Sequence, residues 1–247
     1  MEIVIKSSPK ELGIAAGKLG ATLIRQAIEQ NGFANIILAT GTSQFETLNQ
    51  LLAETGNDWN KVTMFHLDEY IGLPIIHPAS FRKYLKERFI SKVPALKEIN
   101  LIDGEADEKN ECERLSKNIL NHPIDVAFVG IGENGHLAFN DPPADFEIET
   151  PYIVVDLDEA CRKQQLGEGW FKTMDDVPRK AISMSIKQIL KSKHIICSVP
   201  DQRKAVAVKN TIEQSVSNLF PATAMQMHKH CTCFLDDASA SLLSKTK

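Results

Sequence analysis

The sequence predicts an α/β fold, a Rossmann-like three-layer domain with a mostly parallel sheet and helices on both faces. Three observations lead there. Short apolar or β-branched runs recur along the whole chain, at 2–5, 34–39, 62–67, 99–102, 124–130, 152–156, 181–186, 194–199 and 230–235. Between them lie segments whose apolar residues return every three or four positions, the spacing of one helix face. No internal repeat, low-complexity tract or Gly/Ser linker interrupts the alternation, so one domain over residues 1–247 is expected.

After the first run, Leu12, Ala16, Leu19, Leu23 and Ala27 mark a helix that Asn31-Gly32 ends. Further amphipathic stretches cover about 43–54, 80–90, 106–120 and 202–214. In such a fold ligands bind beyond the carboxyl ends of the strands, so chemistry is expected just after each apolar run.

Composition narrows the function classes. The chain carries 28 Lys and Arg against 32 Asp and Glu, a net charge of −4, which offers no broad basic surface for nucleic acid. No run approaches the ~18 apolar residues of a membrane span, and residues 1–7 lack a signal-peptide core. The five cysteines, at 112, 161, 197, 231 and 233, are odd in number and show no framework spacing, as expected of reduced thiols in a cytoplasm. The tract His228-Lys229-His230-Cys231-Thr232-Cys233 resembles a metal site. A strand there would turn histidines and cysteines to opposite faces, so no metal is expected.

Four strand ends carry unusual residues. Thr40-Gly41-Thr42-Ser43 leads into a helix, where free backbone N–H groups and hydroxyls suit a phosphate. Asp68-Glu69-Tyr70 places two acids where one can serve as a general base. The run 125–130 continues as Ile131-Gly132-Glu133-Asn134-Gly135-His136, which matches the dinucleotide fingerprint on paper. That fingerprint needs a helix next, and Pro142-Pro143 leave no room for one of normal length. There remains a glycine-rich loop in which His136 and Asp141 can form an oriented acid/base unit. The fourth end, Asp201-Gln202-Arg203-Lys204, offers a lysine to a phosphate, or else is simply a solvated helix start.

Together these loops resemble the glucosamine-6-phosphate deaminase/isomerase family, which shares its fold with the 6-phosphogluconolactonases. The most specific pieces are Leu67-Asp68-Glu69-Tyr70-Ile71-Gly72-Leu73, followed by His77-Pro78 and Ser80, and the long run from Gly130 to Pro142. Leu137-Ala138-Phe139-Asn140 and Glu69-Tyr70 favour the amino-sugar branch over the lactonases.

The resemblance implies a hexosamine-phosphate substrate and neither metal nor cofactor. Asp68 would move the C2 proton to C1 through a cis-enol, His136 would act on the ring oxygen, and Asp141 would stand where the family has a glutamate. Thr40, Gly41, Thr42, Ser43 and Lys204 would hold the phosphate, with Glu69 and Gly135 also in the substrate site. Two departures stand out. Asn134 replaces a common aspartate, which would make the histidine's acidic partner neutral. A phosphate-binding arginine is missing near Gly169, for which Arg162, Lys163 or Lys172 could substitute, and Gly167/Gly169 read either as a mobile lid or as an ordinary loop. The acidic stretch 144–150 predicts that N-acetyl-sugar-phosphate activation is absent. A lactonase, and a non-catalytic sugar-phosphate sensor, are the alternatives. A sensor would need a DNA-binding segment ahead of a strand that starts at residue 2. Sugar epimer and homo-oligomerisation are left open.

Overall fold

The computed structural model describes residues 1–244. Seven strands form one parallel sheet in the order β1 (Glu2–Lys6), β10 (Cys231–Asp236), β9 (His194–Val199), β6 (Val126–Val129), β2 (Ala34–Leu38), β3 (Val62–His66) and β5 (Glu98–Asn100). A second, antiparallel sheet joins β4 (Asp68–Tyr70), β8 (Lys180–Met184) and β7 (Tyr152–Asp156). The runs at 152–156 and 181–186 therefore do not enter the parallel sheet. Their register, Tyr152 opposite Met184 and Asp68 opposite Ser183, builds a separate small layer.

Both faces of the large sheet are covered. In β2, Ile36 and Leu38 pack under α1 (Pro9–Asn31) and α2 (Phe45–Ala53), while Ile37 faces the opposite core with residues of α4 (Glu108–Leu120), α6 (Ile186–Leu190) and α7 (Ala205–Glu213). Alternation along a strand buried on both sides explains why these runs are continuously apolar. Helix α1 is capped by Ser8, whose side chain accepts from Glu11 N, and ends at Gly32 in the left-handed region (φ 81°). It lies hard against α2: a Cβ on Gly13 would collide with Glu46, and one on Gly17 with Gln50.

The small sheet carries its own apolar cluster, with Tyr70, Phe139, Phe171 and Val177 at its centre. Helix α5 (Glu159–Gly167) packs there, begun by Asp158, whose side chain accepts from Cys161 N. Gly167 thus ends a helix, and Gly169 (φ 83°) lies in the turn beyond it. Phe171 anchors the chain beyond that helix by stacking on His77, ring centroids 5.4 Å apart.

The tract at 228–233 is divided at the strand start. His228 and His230 precede β10, where His228 Nε2 lies 2.8 Å from Ser192 O. Cys231 and Cys233 are buried in the strand.

Candidate active site

A cavity of about 350 Å³ opens at the carboxyl ends of β2, β3, β6 and β9, the position a parallel sheet dictates. Its lining includes Thr40–Ser43, Asp68, Gly132, His136, Arg203 and Lys204, together with Gln164, Gln165 and Glu168 from the α5 region.

Asp68 and Glu69 separate by strand alternation. Asp68 lines the cavity, 7% exposed, and its carboxylate accepts no hydrogen bond among the described residues. Burial pushes its pKa up to about 8, with the charge of Glu69 adding to the rise. Glu69 points the other way and is fully buried. It accepts from Tyr70 N (3.0 Å), Ser80 Oγ (2.9 Å), Phe81 N (3.2 Å) and Arg82 N (2.8 Å). Those bonds tie it to the first N–H groups of α3 (Phe81–Arg88), which Ser80 caps, and Glu69 does not line the cavity, which corrects its assignment from sequence.

The loop after β6 is shaped around a histidine. Gly135 takes φ 86° and donates to Gly132 O at 3.0 Å, closing the turn; it does not line the cavity, so its role is conformational. A Cβ on Gly132 would fall inside the His136 imidazole, so only glycine lets the ring lie there. His136 Nδ1 stands 3.1 Å from Asp141 Oδ1, though too bent for a straight hydrogen bond. Asp141 Oδ1 also accepts from Asn134 Nδ2 (2.9 Å), and Oδ2 from Asp158 N (3.0 Å). Burial raises the Asp141 pKa, but the close His136 imidazole and the bonds from Asn134 and Asp158 N outweigh it, so the net shift is downward.

Asn134 is therefore not the histidine's partner. Its amide donates to both Asp141 and Asp158 Oδ2 (3.2 Å), and its carbonyl oxygen accepts from His136 N (3.1 Å). The acidic partner is Asp141, which reaches the ring despite its shorter side chain. Asn134 and Asp141 stand behind His136 rather than in the cavity wall.

His136, Asp141 and Cys161 also offer ligand atoms within 4.8 Å of one another. Both Asp141 oxygens already accept hydrogen bonds, and burial holds the Cys161 thiol protonated, far above its ordinary range. That donor set does not suit a resident metal.

The Thr40–Ser43 turn and Lys204 converge on the same cavity. Gly41 (φ 89°) turns the chain after β2 into the helical turn Thr42–Gln44. Gln44 is buried, and its Nε2 donates to Ser43 Oγ (3.1 Å) and Val129 O (3.3 Å), tying this turn to β6. Lys204 is 7% exposed, and no carboxylate of the described residues lies within ion-pair distance of its ammonium. Burial lowers its pKa, while Glu133 and Glu168 partly oppose the fall.

Arg162 does not reach this site. Its guanidinium donates to Met174 O (2.5 Å) and Val177 O (3.0 Å), pinning α5 to the turn beyond it, so it cannot replace the missing arginine. Lys163 is likewise turned to solvent, paired with Glu159. Sequence reasoning overlooked three cavity residues, Gln164, Gln165 and Glu168, because the few apolar residues of α5 mark no clear helix face. The signal was there in Asp158, a helix-starting residue type.

A buried carboxylate on one strand end, a histidine beside Asp141 and an unpaired buried lysine beside a hydroxyl-rich turn form an arrangement that can carry out acid/base chemistry on an anionic substrate. The chain belongs to the family described as glucosamine-6-phosphate isomerases/6-phosphogluconolactonase, whose sequence model matches residues 7–234. It is 36% identical over 244 residues to the glucosamine-6-phosphate deaminase of Lactococcus lactis subsp. cremoris, covering 98% of this chain and 99% of that one. The enzyme of the same name from Lacticaseibacillus paracasei is 38% identical over 234 residues, 93% of this chain and 95% of the other. A solved monomeric glucosamine-6-phosphate deaminase, described as a missing link of the NagB superfamily, superposes with a TM-score of 0.87 at 31% identity, covering 98% and 100%. The 6-phosphogluconolactonase of Trypanosoma brucei gives 0.80 at 18% identity, covering 98% of each chain, a likeness of fold alone. No described helix is long and apolar enough to cross a membrane.

Proposed function

We propose that this chain is an amino-sugar-phosphate deaminase/isomerase acting on glucosamine 6-phosphate or its galacto epimer, in the cytoplasm, without metal or cofactor. The observation that carries the reading is that Asp68 and His136, the latter backed by Asp141, face one cavity with an unpaired buried Lys204 and the Thr40–Ser43 turn. Near-full relatives of that name support it.

Each group has a step. Thr40–Ser43 and Lys204 hold the phosphate by N–H groups, hydroxyls and charge. His136, oriented by Asp141, moves a proton at the ring oxygen as the sugar opens. Asp68 takes the C2 proton as the C1 oxygen gains one from solvent, forming a cis-enol, and Asp68 then returns its proton to C1 as the amine releases one to solvent. The nitrogen at C2 is then an imine; water adds there and ammonia leaves, giving the ketose phosphate. A pKa of about 8 suits a residue that must both accept and return a proton near neutrality.

The test is ammonia and ketose-phosphate release from glucosamine and galactosamine 6-phosphates. Folded protein that releases neither overturns the proposal. Hydrolysis of 6-phosphogluconolactone would instead favour the lactonase reading.

A further inference from the structure

A sugar phosphate brings a dianion, and the cavity must meet it with donors and cations. The α5 region supplies none of the latter: Gln164, Gln165 and Glu168 are its contributions to the wall. Glu168 is held by Gln164 Nε2 at 3.2 Å, and its Oε2 lies 4.0 Å from where a Cβ on Gly41 would stand. An anion thus already faces the phosphate turn. Lys204 alone leaves that corner short of positive charge.

The other cation in the lining is Arg203, and it is fixed in place. Its Nε and Nη2 both donate to Asp201 Oδ2, at 3.0 and 2.9 Å, and its backbone N donates to Asp201 Oδ1 at 3.0 Å. Asp201 holds it from an unusual backbone, φ 88°, where a side chain costs on the order of 1 kcal/mol or more and glycine is the ordinary choice. The buried Asp236 supports that conformation, accepting from Asp201 N at 3.2 Å. Glycine at 201 would relieve the strain but leave the guanidinium unheld. Two of the five guanidinium N–H groups meet Asp201, which leaves three for a ligand. Glu133 Oε1 stands 3.7 Å from Nη1, near enough to attract it but beyond hydrogen-bond length.

We infer that Arg203 is the second phosphate-binding cation of this site, a specificity-determining residue aimed by Asp201, and that it takes the place of the cation α5 lacks. The inference rests on the sugar-phosphate reading above. It distinguishes Arg203 from a solvated helix-start residue, whose removal would leave phosphate affinity unchanged.

The experiment compares wild type, Arg203→Ala, Arg203→Lys and Asp201→Gly, with folding checked by circular dichroism. The readouts are KM and kcat for glucosamine 6-phosphate, and the inhibition constant of inorganic phosphate. Arg203→Ala should raise KM and the phosphate inhibition constant roughly ten-fold or more with kcat changed less than about three-fold. Arg203→Lys should recover part of the loss, and Asp201→Gly should raise KM several-fold by freeing the guanidinium. If wild type releases ammonia while Arg203→Ala leaves both constants within two-fold, the inference falls and the deaminase reading stands. If wild type neither releases ammonia nor binds phosphate, both fall.

Discussion

The imidazole of His136 and the carboxylate of Asp141 stand 3.1 Å apart, with the acid held from behind by Asn134 and Asp158 N. A carboxylate so placed fixes which ring nitrogen carries the proton. Asp141→Asn should lower kcat about 10²-fold with KM little changed. Asp141→Glu should also lose activity, because the extra methylene pushes against a ring already in contact. Wild-type kcat in the Asn variant would show that the pairing is idle.

Asn134 keeps two carboxylates, Asp141 and Asp158, apart by donating to both. Asn134→Asp would remove those donors and put three acids together. A loss of about 1–3 kcal/mol in urea unfolding is expected near pH 7, shrinking as the pH falls through the carboxylate range. A variant as stable as wild type at pH 7 would refute the bridging role.

Asp68, raised to about 8, predicts that kcat/KM climbs with pH up to that value. Asp68→Asn should abolish turnover yet still bind phosphate. Stability runs the opposite way to activity. Between the ordinary aspartate pKa, ~4, and about 8 the folded state binds the extra proton, so this group's contribution declines as pH rises. Thermal melts from pH 5 to 9 should fall more steeply for wild type than for Asp68→Asn.

His66 gives the reverse sign. It is fully buried beneath the large sheet's end, Nε2 accepting from Ile102 N at 2.7 Å, and burial lowers its pKa to about 3. The unfolded chain binds the proton first, so stability is present above ~6.5 and lost as pH falls towards 3. His66→Gln, which can still accept from Ile102, should flatten urea midpoints between pH 7 and 4.5. Equal slopes in both proteins would contradict this.

N-acetylglucosamine 6-phosphate should leave the rate at low substrate unchanged. The stretch after the catalytic loop carries Glu147 and Glu149, which pair with Lys187 and Lys191 instead of offering cations to an effector. Activation on titrating that compound would overturn the expectation.

Much of this was legible in the sequence because continuous apolar runs identify strands buried on both faces. Periodicity cannot encode a strand's partner. Tyr152–Asp156 looked like its neighbours, yet its alternating exposure belongs to a sheet with one covered face. Adjacent acids are ambiguous for a related reason: nothing local says that Asp68 rather than Glu69 faces the cavity, and only the bonds Glu69 accepts at the start of α3 settle it. Asp201 and Arg203 read as a solvated helix start because the strained backbone that aims them is invisible in the letters.

One residue, Leu67, separates β3 of the parallel sheet from β4 of the antiparallel one, and its carbonyl accepts from Met184 N at 2.7 Å. Asp68, the proposed C2 base, thereby sits in the small sheet, while the Thr40–Ser43 turn follows β2 of the large one and the His136 loop runs from β6 to bond β8 through Phe139 N and Asn140 Nδ2. A hexose lying between them straddles a seam. Slippage of a fraction of an ångström along that joint would misalign proton transfer without disturbing any single contact to the sugar. Substitutions in the seam, far from the reacting atoms, should therefore register in turnover before they register in affinity.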